Sequence, residues 1–184
     1  TVKEATGDYD NMAKTRAVCG DDFTIMSGDD DRTVTMMKRE DIRAAGVISV
    51  MSNVVPGPLT RMTHALNDGD VATADRLAAD LAPLMGIVGV TTTETSSKGP
   101  VECKSRNPTP VKSLMRLLGM PSGACRRPLG KLTPQAAAVV VDATCQVWAN
   151  DPSLLQPTGD AFGVDIEARL KDQGAIDALV YSSY

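Results

Sequence analysis

Aromatic side chains are scarce, with two Phe, three Tyr and one Trp making up 3% of 184 residues, so the core must be filled by aliphatic and Met side chains. Histidine is rarer still: His64 has no second histidine with which to share a metal ion, and we read it as a surface or packing residue of an outer helix. Cys19, Cys103, Cys125 and Cys145 lie far apart, and no pair has the two-residue spacing of a metal knuckle or a redox motif. Free thiols in a reducing compartment are the expectation. No run of 18 apolar residues offers a membrane-spanning helix, and no charged-then-apolar leader is visible. A basic block is also missing. The 19 Lys and Arg are interspersed with 23 Asp and Glu for a net charge of −4, which argues against nucleic acid or an anionic membrane as partner. These absences together predict a cytoplasmic protein with no metal site.

What is present is a recurring strand-then-helix pattern. Val2 and Lys3 end a buried strand, the turn Thr6-Gly7-Asp8 follows, and a helix is predicted from about Asn11 to Val18, closed by Gly20. Phe23 to Met26 is a second apolar strand, stopped by Ser27-Gly28-Asp29-Asp30 and followed by a helical segment through Ala44. Gly46 to Val50 is the third, followed by a loop from Asn53 to Pro58 and a helix to about Asn67. Three such units imply a parallel sheet with helices packed outside it.

From Asp70 the pattern reads as helices alone. Val71, Ala74, Leu77, Ala78, Leu81 and Leu84 keep helical spacing, Pro110 opens a helix to Leu118, and Thr133-Pro134 caps a third that runs to Trp148. The Thr-, Ser- and Gly-rich stretch from Gly86 to Asn107 reads as a long loop. We therefore expect last βα units over 1–69, a helical domain over 70–149 and an extension over 150–184, with one short amphipathic segment around Ile166 and Leu170. The chain opens directly on a strand without an initiator Met, so upstream residues are expected to exist, either beyond this sequence or as a separate polypeptide.

Lys3 is the first candidate for chemistry. In closed βα barrels the carboxyl ends of the strands face the active site, and a lysine there beside apolar Val2 is expected to be desolvated, which favours the neutral amine able to attack a ketone. From position alone, a lysine at a strand end reaching solvent is the more ordinary reading. Two adjacent acids such as Asp29 and Asp30 at a strand end are more often a turn or helix cap than ligands for an ammonium group. Gly28 permits close approach of another group to the backbone, and Ile48 is a strand residue suited to a core or a pocket wall.

Four segments taken in order are more specific: Lys-Glu-Ala-Thr-Gly-Asp at 3–8, Ser-Gly-Asp-Asp at 27–30, Gly-Val-Ile-Ser-Val at 46–50 and Asn-Pro-Thr-Pro-Val-Lys at 107–112. Together they resemble the dihydrodipicolinate synthase (4-hydroxy-tetrahydrodipicolinate synthase) family from Thr1 to about Pro134. The resemblance implies an α/β chain, the C-terminal part of a (β/α)8 TIM barrel followed by a small helical domain. It also implies a class I aldolase that joins pyruvate to aspartate β-semialdehyde through an imine on Lys3. By the same resemblance Gly28, Asp29, Asp30 and Ile48 line the substrate site, and neither metal nor organic cofactor is needed. Partners would be the N-terminal half of the same enzyme and further copies, in a dimer or tetramer. Asn107 to Lys112 would be structural, with Lys112 a solvated helix lysine.

The sequence departs from the family pattern in three ways. Asp31 to Ala45 and Thr91 to Arg106 are longer, and the tail after Ala149 is extended. The tyrosine relay, the arginine for substrate carboxylate and the threonines for pyruvate belong before Lys3, and Tyr9, Tyr181 and Tyr184 do not occupy relay positions. Two other readings use the same residues: a pyruvate aldolase of the N-acetylneuraminate lyase type, and a non-catalytic fragment or assembly domain whose open sheet edges seek a partner.

Overall fold

A computed structural model describes residues 1–121 and 124–181. The chain divides into two compact units, Thr1–Ala82 and Pro83–Tyr184.

The first unit is built on three parallel strands in the order β1 (Val2–Glu4), β2 (Ile25–Ser27) and β3 (Gly46–Val47). The connections are helices, as parallel pairing requires. Helix α1 (Tyr9–Cys19) begins at Asp8, whose carboxylate accepts from the Asp10 and Asn11 amides, and ends at Gly20 with φ of 80°. Helix α2 covers only Thr33–Lys38, shorter than the predicted segment through Ala44. Beyond it Arg43 turns at φ of 50° and the chain drops Ile42 and Ala44 into the core, a geometry a continued helix could not give. Helix α3 (Pro56–Asn67) closes the unit's third βα step. Met12, Ile25, Met36, Ile42 and Ala44 form the buried centre, with Val2, Tyr9 and Phe23 packed on it, so methionine fills the space that aromatics leave open.

The third strand is shorter than Gly46 to Val50. Its pairing stops at Val47 because the Asp30 carboxylate draws the following chain aside, accepting from the Val50 and Met51 amides at 3.1 and 3.2 Å and from the Ser49 hydroxyl. At the other end of the strands Arg16 does comparable work. The residue is 6% exposed, and its guanidinium donates to five backbone carbonyls: Gly20, Asp21 and Phe23 ahead of β2, and Ile42 and Arg43 ahead of β3, at 2.6–3.2 Å. A planar fork with five N–H donors can serve five carbonyls of two chain segments at once, more than the three N–H groups of an ammonium can.

Helix α4 (Val71–Gly86) buries Ala74, Leu77, Leu81 and Leu84 on one stripe, and the division between the units falls at its internal Pro83, which has no N–H to donate. The second unit is not helical alone. The stretch read as a loop is an antiparallel hairpin, β4 (Gly89–Ser96) with β5 (Gly99–Arg106). Thr91, Thr92, Thr93 and Thr95 are β-branched and favour the extended backbone, Ser97-Lys98 form the connection, and Gly99 takes φ of 107°. Its polarity suggested a loop because both faces are largely solvated; only Val90 is buried in β4.

The hairpin packs through β4 on α6 (Pro134–Asn150), whose Thr133 cap accepts from the Ala136 amide at 3.2 Å. Before it comes α5 (Thr109–Leu117), which buries Val111, Leu114 and Leu117. The tail folds into α7 (Gln156–Phe162), α8 (Ile166–Lys171, with Ile166 and Leu170 buried) and α9 (Gln173–Asp177). Its end returns to the segment before α6, where the Leu132 amide donates to Leu179 O at 3.0 Å and Leu132 bridges to Val180. Among the described residues no helix is long and apolar enough to cross a membrane. The cysteines are free, Cys19 on the surface and the other three half-buried.

Replacing Arg16 by Met keeps the apolar stem but leaves its carbonyl partners without their donor. We predict a loss of about 3 kcal/mol in urea unfolding. Arg16→Lys should recover less than half of it. A loss under about 1 kcal/mol for Arg16→Met would mean that water replaces the guanidinium at little cost.

Candidate active site

Parallel register decides which side chains meet at the carboxyl edge of the sheet. Lys3 is level with Met26, Met26 with Gly46, Glu4 with Ser27, and Ser27 with Val47. Alternation along a strand then puts Lys3, Met26 and Gly46 in one row on one face, with Gly28 and Ile48 in the next row of the same face. The row is closed by backbone bonds: the Gly28 amide donates to Glu4 O at 2.7 Å and the Ile48 amide to Ser27 O at 2.8 Å.

Gly28 is where the absence of a side chain matters. A Cβ there would lie 2.7 Å from Ala5 Cβ and 3.0 Å from Lys3 Cε, so any larger residue would push the lysine stem from its course. Gly46 likewise clears room for Met26, whose Cε lies 3.2 Å from where a Cβ would stand.

Lys3 itself is exposed. Val2 does not desolvate it, because Val2 faces the opposite side of the sheet and packs on the Met12 and Ile25 core. Ile48 is 47% exposed and so is not a core residue; it stands open on the same face as Lys3.

The two acids after Gly28 have different surroundings. Asp30 is 6% exposed, and its carboxylate is engaged by Ser49, Val50 and Met51 of its own chain. Asp29 has a buried Oδ2 without a hydrogen-bond partner. Burial raises its pKa above the ordinary carboxylate value, and the neighbouring charge of Asp31 raises it further; Arg32 and the Gly7 amide oppose this but do not satisfy Oδ2.

Sequence reasoning passed over the groups that hold this edge in shape. Glu4, 6% exposed beside Lys3, accepts from the Thr6 amide at 2.8 Å and from Asn11 Nδ2 at 3.3 Å, fixing the turn into α1. The Ser27 and Thr33 hydroxyls both donate to Asp29 O, at 2.8 and 3.1 Å, and fix the turn that carries Gly28. Small hydroxyls flanking a Gly-Asp-Asp turn were the available signal. Lys112 lies on α5 in the second unit, Tyr9 on α1 stacks under Arg32 and Arg39, and Tyr184 lies outside the described residues.

Fold and site together define an α/β protein that presents a lysine at the carboxyl edge of a parallel sheet. Residues 1–146 match the Dihydrodipicolinate synthetase family, and the chain belongs to that family. The 4-hydroxy-tetrahydrodipicolinate synthase of Methanococcoides burtonii is 36% identical over 135 residues, 73% of this chain and 40% of that protein. The enzyme of the same name from Thermomicrobium roseum is 30% identical over 159 residues, 86% of this chain and 47% of that protein.

Among solved structures, the 4-hydroxy-tetrahydrodipicolinate synthase of Methylacidiphilum fumariolicum SolV superposes with a TM-score of 0.66 at 26% identity, over 83% of this chain and 46% of that one. DHDPS from Cyanidioschyzon merolae with lysine bound gives 0.64 at 28%, over 79% and 43%. The chain thus spans less than half the length of these relatives.

The environment of Asp29 predicts a pH-dependent penalty. Its folded pKa lies above the unfolded value near 3.8, so the folded state is disfavoured wherever the group must be charged, and the penalty disappears once pH falls below that value. Asp29→Asn should therefore raise the midpoint of thermal unfolding at pH 7, with the gain shrinking as pH falls through the folded pKa. A gain that grows toward low pH would contradict the assignment.

Proposed function

We propose that this chain is the lysine-bearing C-terminal part of a (β/α)8 barrel that condenses pyruvate with aspartate β-semialdehyde to give 4-hydroxy-tetrahydrodipicolinate, a step toward lysine and diaminopimelate. The observation that carries the reading is the shared face of Lys3, Gly28 and Ile48 at the carboxyl edge of β1, β2 and β3. The relatives' name, 4-hydroxy-tetrahydrodipicolinate synthase, supports the product assigned here.

In this reading the free amine of Lys3 attacks the carbonyl carbon of pyruvate, and loss of water leaves a protonated imine. The imine withdraws electrons, so a methyl proton departs and the enamine carbon attacks the aldehyde. The amine of the second substrate then adds to the imine carbon and expels Lys3 as the ring closes. No metal or organic cofactor takes part. Gly28 leaves space for the lysine stem, Ile48 forms an apolar wall, and Asp29 offers an acceptor for the substrate ammonium. Asp30 positions the Ile48 loop through its bonds to Ser49, Val50 and Met51.

The remaining wall of the site, with its proton relay and carboxylate-binding groups, comes from an N-terminal half, and the assembled enzyme is a cytoplasmic homo-oligomer, a dimer or tetramer. The residues after Pro83 serve as its small C-terminal domain.

The test is product formation by this chain supplied with an N-terminal half. Activity is expected with pyruvate and aspartate β-semialdehyde and not in cleavage of a sugar acid such as N-acetylneuraminate. Lys3→Arg, which keeps the charge but cannot form the imine, should lower the rate by on the order of 10³-fold or more. Sugar-acid cleavage in place of condensation would assign the chain to the other aldolase type, and an Arg variant of full activity would remove Lys3 from the mechanism.

A further inference from the structure

The second unit contains a pocket remote in sequence from Lys3 that the aldolase reading leaves unused. It has a volume of about 220 Å³, and three cations line it: Lys112 and Arg116 from α5, and Lys131 from the segment before α6. Among the described residues, no carboxylate is part of the lining. In a chain of net charge −4, such a one-signed concentration raises the local affinity for anions.

The tail completes it. Lys131 Nζ donates to Val180 O at 3.0 Å and stands 5.9 Å from the centre of the Tyr181 ring, while Lys112 Nζ donates to Ala124 O at 3.2 Å. Tyr181 closes down on Gly130, where a Cβ would meet the ring at 3.1 Å. Ala124, Ala178 and Leu179 give the pocket an apolar floor. The three cations lie within the portion that matches the family, while Ala178, Leu179 and Tyr181, which complete the pocket, lie beyond it.

We propose that this pocket binds a phosphate monoester. A phosphoryl group carries close to two negative charges at neutral pH and three acceptor oxygens, which suits the Lys131 ammonium and the Arg116 guanidinium better than a single carboxylate does. The guanidinium of Arg116 donates to two phosphoryl oxygens, Lys131 keeps two of its three N–H groups beyond the bond to Val180, and the organic part of the ester lies on the Ala124 and Leu179 floor. The proposal is independent of the chemistry assigned to Lys3.

Calorimetric titration of the intact protein at constant ionic strength tests it, with phenyl phosphate, inorganic phosphate, benzoate and chloride as probes. Saturable one-to-one binding of phenyl phosphate is expected, weaker binding of inorganic phosphate and benzoate, and none of chloride. Arg116→Gln and Lys131→Gln should each weaken phenyl phosphate about tenfold, while Lys98→Gln at the hairpin tip and Lys3→Arg leave it unchanged. Circular dichroism of the variants checks that they fold, and amine acylation of the unmodified protein gives a second readout: phenyl phosphate should protect Lys131 and not Lys98. The proposal is overturned by the absence of saturable binding, by equal affinity in Arg116→Gln and Lys131→Gln, by loss of binding in Lys3→Arg, or by an unprotected Lys131.

Discussion

The Arg16 guanidinium is the tie on which the first unit depends. One buried cation satisfies carbonyls from the chain entering β2 and from the chain entering β3. Backbone groups taken out of water must find partners, and turns between short strands have none in the ladder. Arg16 supplies them from the last turn of α1, and so fixes where β2 and β3 begin. Asp30 performs the reciprocal task beyond the carboxyl ends, drawing the Ser49 to Met51 segment toward β2. With both ends held, strands of three, three and two residues keep a parallel register. Lys3, Gly28 and Ile48 share a face because of that register.

Periodicity made the strand-then-helix order, the parallel sheet and the helices α1, α5 and α6 legible, since each rests on a local rule: Thr133 at an N-cap, Pro110 at a helix start, Gly20 at a C-cap, and apolar residues at helical spacing. Elements set by distant partners were not legible. The end of β3 depends on a carboxylate some twenty residues earlier, and the turn that buries Ile42 and Ala44 depends on Arg16. The hairpin β4–β5 was read as a loop because its alternation is polar on both sides, although its threonines carried the opposite local preference.

The candidate site followed the same division. Lys3, Gly28 and Ile48 stood out through ordered motifs, and their common face follows from alternation and register. What the sequence could not separate was Asp29 from Asp30. One is engaged by three groups of a neighbouring loop and the other keeps a buried oxygen without a partner, a difference created entirely by tertiary placement. Desolvation of Lys3 by Val2 failed for an equally physical reason: adjacent strand residues point to opposite faces.

The central claim is that Lys3 is the imine-forming residue of a family whose relatives are more than twice as long as the matched segment. Its most direct test is reduction with borohydride in the presence of pyruvate, followed by peptide mapping in denaturant. The account predicts one reduced pyruvate adduct, on the peptide that carries Lys3, when the N-terminal half is present. An adduct on another lysine, or none in a preparation that condenses the two substrates, would contradict it.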